Sequence, residues 1–265
     1  MIITEANYFS KEAEQMYIGS TQYREFCGTV GQRGCEARAL AKIRGDWVEE
    51  KSIALYVGSY VDAHFGGTLG TFKAQNPEIF TRQGELKSQF KQANVMIERC
   101  ERDPYYMKTL SGGTQVIYTA ELFGLKWKIK MDSFHEGIAI VDGKTTKSIA
   151  ETHYVKDLGR VSFVEFWGYE IQLAIYQKIT LIVTGKLLPC LIAAVSKEPE
   201  PDIEVIGFDQ KKLDEQVENI RLSAPRIIQL KAGEIEPDKC NVCDYCKSTK
   251  VLTGPIHYTE LSMKI

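Results

Sequence analysis

Met131-Asp132-Ser133-Phe134-His135-Glu136-Gly137-Ile138-Ala139-Ile140-Val141-Asp142-Gly143-Lys144-Thr145 is the stretch on which the fold turns. It reads as two strands joined by a tight turn at His135-Glu136-Gly137. The first strand carries Asp132; the second is an apolar run that ends in Asp142-Gly143-Lys144. Side chains two apart on a strand share a face, so Asp142 and Lys144 project together, about 7 Å apart. Asp132 joins them if the strands pair. Two carboxylates and one ammonium at a sheet end suit a hard divalent cation and a phosphate.

Upstream, apolar and basic residues alternate from Glu121 to Asp132. Leu125, Trp127, Ile129 and Met131 face one way; Lys126, Lys128, Lys130 and Asp132 face the other. The lysines read either as the solvated side of a half-exposed sheet or as a basic stripe leading a polyanion to the acidic centre.

Around this meander, residues 20–44 read as helix interrupted between Cys27-Gly28 and Gly34, with a second piece at 36–43. Residues 50–65 and 83–101 read as helices. Residues 114–148 read as three or four antiparallel strands, and 163–183 as one long helix. Strands follow at 188–195 and 203–208, then a helix at 210–229 that Pro225 should bend or break. The order gives an α/β domain with a mixed central sheet flanked by helices, an N-terminal helical elaboration and a cysteine-containing C-terminal tail. We expect one domain over 1–265: a helical part to 110, a core over 111–232 and the tail over 233–265.

The chain has 265 residues, 44% hydrophobic and 26% charged, enough for a large core. No apolar run approaches the ~18 residues of a membrane span. The first residues lack the basic start and apolar centre of a signal peptide, so the expected location is cytoplasmic. A net charge of −2 requires any nucleic-acid contact to use a local patch. Seven cysteines in such a protein are thiols or metal ligands rather than disulfides.

Asp132 followed by Asp142-Gly143-Lys144 resembles the core motif of the PD-(D/E)XK nuclease superfamily. Gln172-Leu173-Ala174-Ile175-Tyr176 resembles the Gln-x-x-x-Tyr of its RecB-like branch. Positions i and i+4 share a helix face, so Gln172 and Tyr176 can point at one site. Gly58-Ser59-Tyr60-Val61-Asp62 resembles the branch's Gly-x-x-x-His, with Asp62 in the histidine position. His64 lies about 200° further round the helix and is the weaker ligand candidate. Together with Gly34–Ala41 and the tail, these strings resemble phage and prophage proteins of the RecE exonuclease type.

That resemblance implies a restriction-endonuclease-like core and a Mg²⁺- or Mn²⁺-dependent deoxyribonuclease, an exonuclease, with DNA as substrate. Asp132, Asp142 and the Gly143 carbonyl would hold metal, with Asp62 assisting. Lys144, Gln172 and Tyr176 would complete the catalytic set, and Lys126, Lys128 and Lys130 would track the strand. A single-strand annealing protein is the implied partner, and a homo-oligomer is allowed. Two other classes stay open: a DNA-binding member without catalysis, and an iron–sulfur or zinc interaction module.

Cys240-x-x-Cys243-x-x-Cys246 offers three thiols at ligand spacing, one short of a tetrahedral site. Some RecB-like nucleases close a [4Fe-4S] cluster with one N-terminal and three C-terminal cysteines, which implies Cys35 as the fourth. Cys27 is a weaker candidate. Zinc, or no metal, are the alternatives. Cys100 and Cys190 read as core thiols.

Overall fold

The computed structural model describes residues 1–259; residues 260–265, the end of the expected tail, lie outside the described residues. Seven helices come first: α1 (Lys11–Met16), α2 (Ser20–Cys27), α3 (Glu36–Arg44), α4 (Ile53–Phe65), α5 (Leu69–Gln75), α6 (Gln92–Glu101) and α7 (Pro104–Leu110). The meander β1 (Gly113–Leu122), β2 (Leu125–His135) and β3 (Ala139–Thr146) follows, then a hairpin of β4 (Thr152–Val155) and β5 (Gly159–Ser162). Helices α8 (Phe163–Phe166) and α9 (Tyr169–Thr184) lead to β6 (Cys190–Ser196) and β7 (Ile203–Gly207). The chain continues through α10 (Gln210–Ala232) to the short α11 (Asp244–Ser248).

The main sheet has the order β1-β2-β3-β6-β7. Its pairs are antiparallel except β3–β6, which is parallel, so the sheet is mixed as expected. The parallel pair needs a crossover, and α9 provides it. Strand parity then sorts the two faces. Trp127, Ile129, Met131, Ile140 and Ile192 pack with Leu173, Ile175 and Ile179 of α9 and with Ile220 and Ile227 of α10. Val141, Ala193 and Val195 face the other way, against Val57, Tyr60 and Val61 of α4 and Met96 and Ile97 of α6.

Four boundaries depart from the sequence expectation. The 83–101 helix starts only at Gln92, after a turn and a single 3-10 turn at Ser88–Phe90. The β4–β5 hairpin lies beyond the expected strands. The expected 163–183 helix is broken after α8, where Gly168 takes φ +64° and restarts the chain as α9. Pro225 does not break α10, although an interior proline costs about 3 kcal/mol. Ala224, Ile227 and Leu230 are buried on both sides of it, and their packing holds the helix together. No described helix is long and apolar enough to cross a membrane.

Candidate active site

The β2–β3 ladder runs from His135↔Ala139 to Ser133↔Val141 and stops there. The next pair, Asp132 and Asp142, lies where the strands part. Asp132 Oδ2 accepts the Gly143 N–H at 2.8 Å, a side-chain bond in place of a ladder bond. On its other side Asp132 faces Gln115, a pair that the β1–β2 ladder skips. Gln115 has φ +54°, the left-handed region that a non-glycine residue enters at a cost of about 1 kcal/mol or more. Asp132 therefore sits in a gap between both neighbouring strands.

Asp142 is 2% exposed. Its Oδ1 accepts the Gln172 amide N–H at 2.8 Å. Its Oδ2 forms an ion pair with Lys144 but has no hydrogen bond of ordinary geometry. The i, i+4 pair on α9 divides its work. Gln172 fixes Asp142, whereas the Tyr176 hydroxyl donates to the Lys130 carbonyl at 3.0 Å and fixes the backbone of β2. A residue outside the recognised motif also belongs here: the Lys144 ammonium lies 5.1 Å from the Tyr169 ring centroid. Its position at the first turn of α9, three residues before Gln172, is the signal that would have found it.

Helix α4 brings Asp62 from the opposite face. The approach depends on Gly58, where a Cβ would lie 2.8 Å from Thr145 Oγ1. Asp62 keeps access to solvent but is flanked by protein and by the charges of the site. Burial pushes its pKa up, Lys130 and Lys144 oppose this, and Asp142 adds to it. Asp132 is pushed well above the usual carboxylate range by burial and then by Asp142 and Asp62, against Lys144 and the Gly143 N–H. Burial alone would lower the Lys144 pKa, but Asp142 and Asp132 outweigh it and hold the ammonium above its ordinary value. Asp62, Asp132 and Asp142 share the field of one lysine, Lys144.

Hard, mutually repelling oxygens with one buried oxygen short of hydrogen bonds fit a hard divalent cation. The carboxylates are set more loosely than the cysteines, however. Among the described residues, only Cys35, Cys240, Cys243 and Cys246 bring three or more metal-ligating side chains within 4.8 Å of one another.

Two expected site residues are placed elsewhere. His64 Nε2 contacts Glu101 Oε1 of α6 at 2.9 Å, which turns it away from the carboxylates. Lys128 is 2% exposed and cannot track a strand. The N-terminal segment covers it: its ammonium pairs with Glu14 at 2.6 Å, donates to the Tyr8 carbonyl, and lies 4.6 Å from the Tyr8 ring centroid. Lys126 is exposed, and Lys130 is half-buried with its ammonium over the Tyr8 and Phe9 rings.

At the chain ends, Cys35 Sγ lies 3.5 Å from Cys246 Sγ, which is 3.9 Å from Cys240 Sγ. Backbone N–H groups point at the sulfurs: Cys243 N–H to Cys240 at 3.3 Å and Cys246 N–H to Cys243 at 3.5 Å. Burial opposes ionisation of Cys240, yet the N–H groups of Val242 and Cys243 bring its pKa down to about 6. Burial and the neighbouring thiols push Cys243 up to about 12. Four clustered thiols of this kind can hold zinc or an iron–sulfur centre. Arg226 bonds Glu36 through two nitrogens and Asp238 through one, clamping α3 to the segment before the thiols. Cys27 is exposed and outside the group; Cys100 and Cys190 are buried in the core.

No curated protein matches the chain in sequence. A crystal structure from Eubacterium rectale, of a protein named "Putative exonuclease", is similar over 100% of both chains, with 49% identity and a TM-score of 0.96. The model of a PDDEXK-like domain of unknown function (DUF3799) matches residues 19–249, which include every site residue described above. The chain belongs to that PDDEXK-like family.

Proposed function

We propose that this protein is a Mg²⁺- or Mn²⁺-dependent deoxyribonuclease of the RecB-like, RecE-type branch, acting as an exonuclease in recombination or DNA processing beside a single-strand annealing protein. One observation carries the reading: Gln172, Asp142 and Lys144 form a bonded chain beside Asp132, at the point where β2 and β3 part. The name of the Eubacterium rectale protein supports it.

Asp132, Asp142 and the Gly143 carbonyl would hold the cation, with Asp62 at the rim. A bound divalent cation supplies an acidified water and neutralises charge on the phosphate. Gln172 fixes Asp142 through Oδ1, while Oδ2 faces the Lys144 ammonium. Lys144, paired with Asp142, would orient or deprotonate the attacking water or stabilise the negative charge that develops on the phosphoryl oxygens. Tyr176 holds the β2 backbone at Lys130. Lys126 and Lys130 remain as strand contacts.

The four thiols Cys35, Cys240, Cys243 and Cys246 would hold a [4Fe-4S] cluster, with zinc as the alternative. The site is structural on this reading, since all four positions are filled by protein.

The test uses end-labelled linear and closed circular DNA with Mg²⁺ or Mn²⁺. The wild type should shorten linear DNA progressively and spare circles. Asp142→Ala and Lys144→Ala should each lose at least about 100-fold in rate. Wild-type cleavage by both variants would remove the assignment.

A further inference from the structure

Lys197 follows the last residue of β6, and its N–H donates to the Thr146 carbonyl at 2.8 Å, extending the contact with the catalytic strand β3. Its ammonium donates to Thr145 Oγ1 at 2.8 Å. Thr145 directly follows Lys144 and faces α4 at the closest approach of Gly58. Lys197 thus stands one residue beyond the catalytic lysine, on the side from which Asp62 arrives.

It is also a cation without a counter-ion. Lys42, Lys128 and Lys144, by contrast, each have a carboxylate partner: Glu25, Glu14 and Asp142. Among the described residues no carboxylate pairs with Lys197, and burial alone lowers its pKa to about 8. Lys231 is lowered similarly but has Glu14 nearby and lies against the Tyr17 carbonyl, away from the site. A desolvated, uncompensated ammonium opposes folding, so Lys197 is not there to hold the fold. It has three N–H donors and spends one on Thr145.

We propose that Lys197, oriented by Thr145, is a phosphate-binding subsite that grips the phosphodiester adjoining the one held at Asp132, Asp142 and Lys144. This rests on the nuclease reading above. The carboxylates make the centre itself repel a polyanion, and an unpaired cation one step along the strand offsets that repulsion for the neighbouring phosphate. At neutral pH the ammonium is mostly charged, and phosphate contact would keep it so at higher pH.

Full-length wild type, Lys197→Met and Lys197→Arg are titrated into fluorescein-labelled duplex and single-stranded oligonucleotides in Ca²⁺, over a series of salt concentrations. Lys197→Met should bind about tenfold more weakly, with the slope of log K against log[salt] shallower by about 0.7–0.9. Lys197→Arg should bind within a few-fold of wild type. The thermal midpoint of Lys197→Met should be unchanged or higher, because a structural role would lower it. A lowered midpoint, or Lys197→Met binding with wild-type affinity and slope, overturns the subsite while the nuclease reading stands. A wild type that neither binds nor cleaves DNA overturns both.

Discussion

Gly58→Ala exposes how tightly α4 is set against β3. The added Cβ would lie 2.8 Å from Thr145 Oγ1. Ordinary contacts begin near 3.5 Å, so the helix or Thr145 must give by about 0.7 Å. Thr145 has little freedom, because it is β-branched and tied to Lys197 at 2.8 Å. Overpacking of this kind costs about 1–3 kcal/mol. Against it stands a helix-propensity gain of about 1 kcal/mol for alanine over glycine. The net expectation is a loss of about 1 kcal/mol, or about 2–4 °C in midpoint for a chain of this size. In a Thr145→Ala background the obstructing oxygen is gone, and the same Gly58→Ala change should stabilise by about 1 kcal/mol. Denaturant unfolding of the four proteins measures the cycle, with an expected coupling of about 2 kcal/mol. Effects that add within about 0.5 kcal/mol would refute the claim that contact with Thr145 dictates glycine at position 58.

Two further outcomes follow from buried groups. Cys35→Ser should lower bound metal to well below half of the wild-type content by elemental analysis, with loss of midpoint, whereas Cys27→Ser should retain that content; equal metal in both would remove Cys35 from the ligand set. Glu170 is 2% exposed with one oxygen lacking a hydrogen-bond partner, and burial raises its pKa to about 7. Its folded pKa lies above the unfolded value, so the folded form binds the proton more tightly. That contribution is full below about pH 4.5 and is lost as pH rises to about 7. Glu170→Gln should remove this slope and unfold with about 1–3 kcal/mol more stability than wild type at pH 8. An unchanged pH dependence of unfolding would show that Glu170 ionises freely in the folded protein.

Local periodicity carried much of the site. Period two places Asp142 and Lys144 on one strand face, and a helical i, i+4 spacing places Gln172 and Tyr176 on one helix face; the structure keeps both pairings within their elements. What each residue then touches is a matter of packing. Gln172 meets Asp142, while Tyr176, one turn on, meets the backbone of β2 instead. Lys128 shows the limit of the pattern. It alternates with Trp127 and Ile129 like its neighbours, yet residues 8–14 fold over it, and no periodicity within the strand encodes a cover from 114 positions away. Pro225 shows the converse, a strong local signal overridden by Ala224, Ile227 and Leu230 in the core.

The sequence by itself determined the alternation of the meander, the mixed α/β class and the identities of the reactive groups, because these depend on bonds and spacings a few residues long. Only the tertiary structure decided where the strands part, which carboxylates share a field, that Cys35 meets thiols more than 200 residues away, and that Lys197 stands beside β3 without a carboxylate partner. Those are facts of burial and through-space charge. They exist only once β3 lies between α4 and α9, since the same groups in an open chain are solvated and do not sense one another.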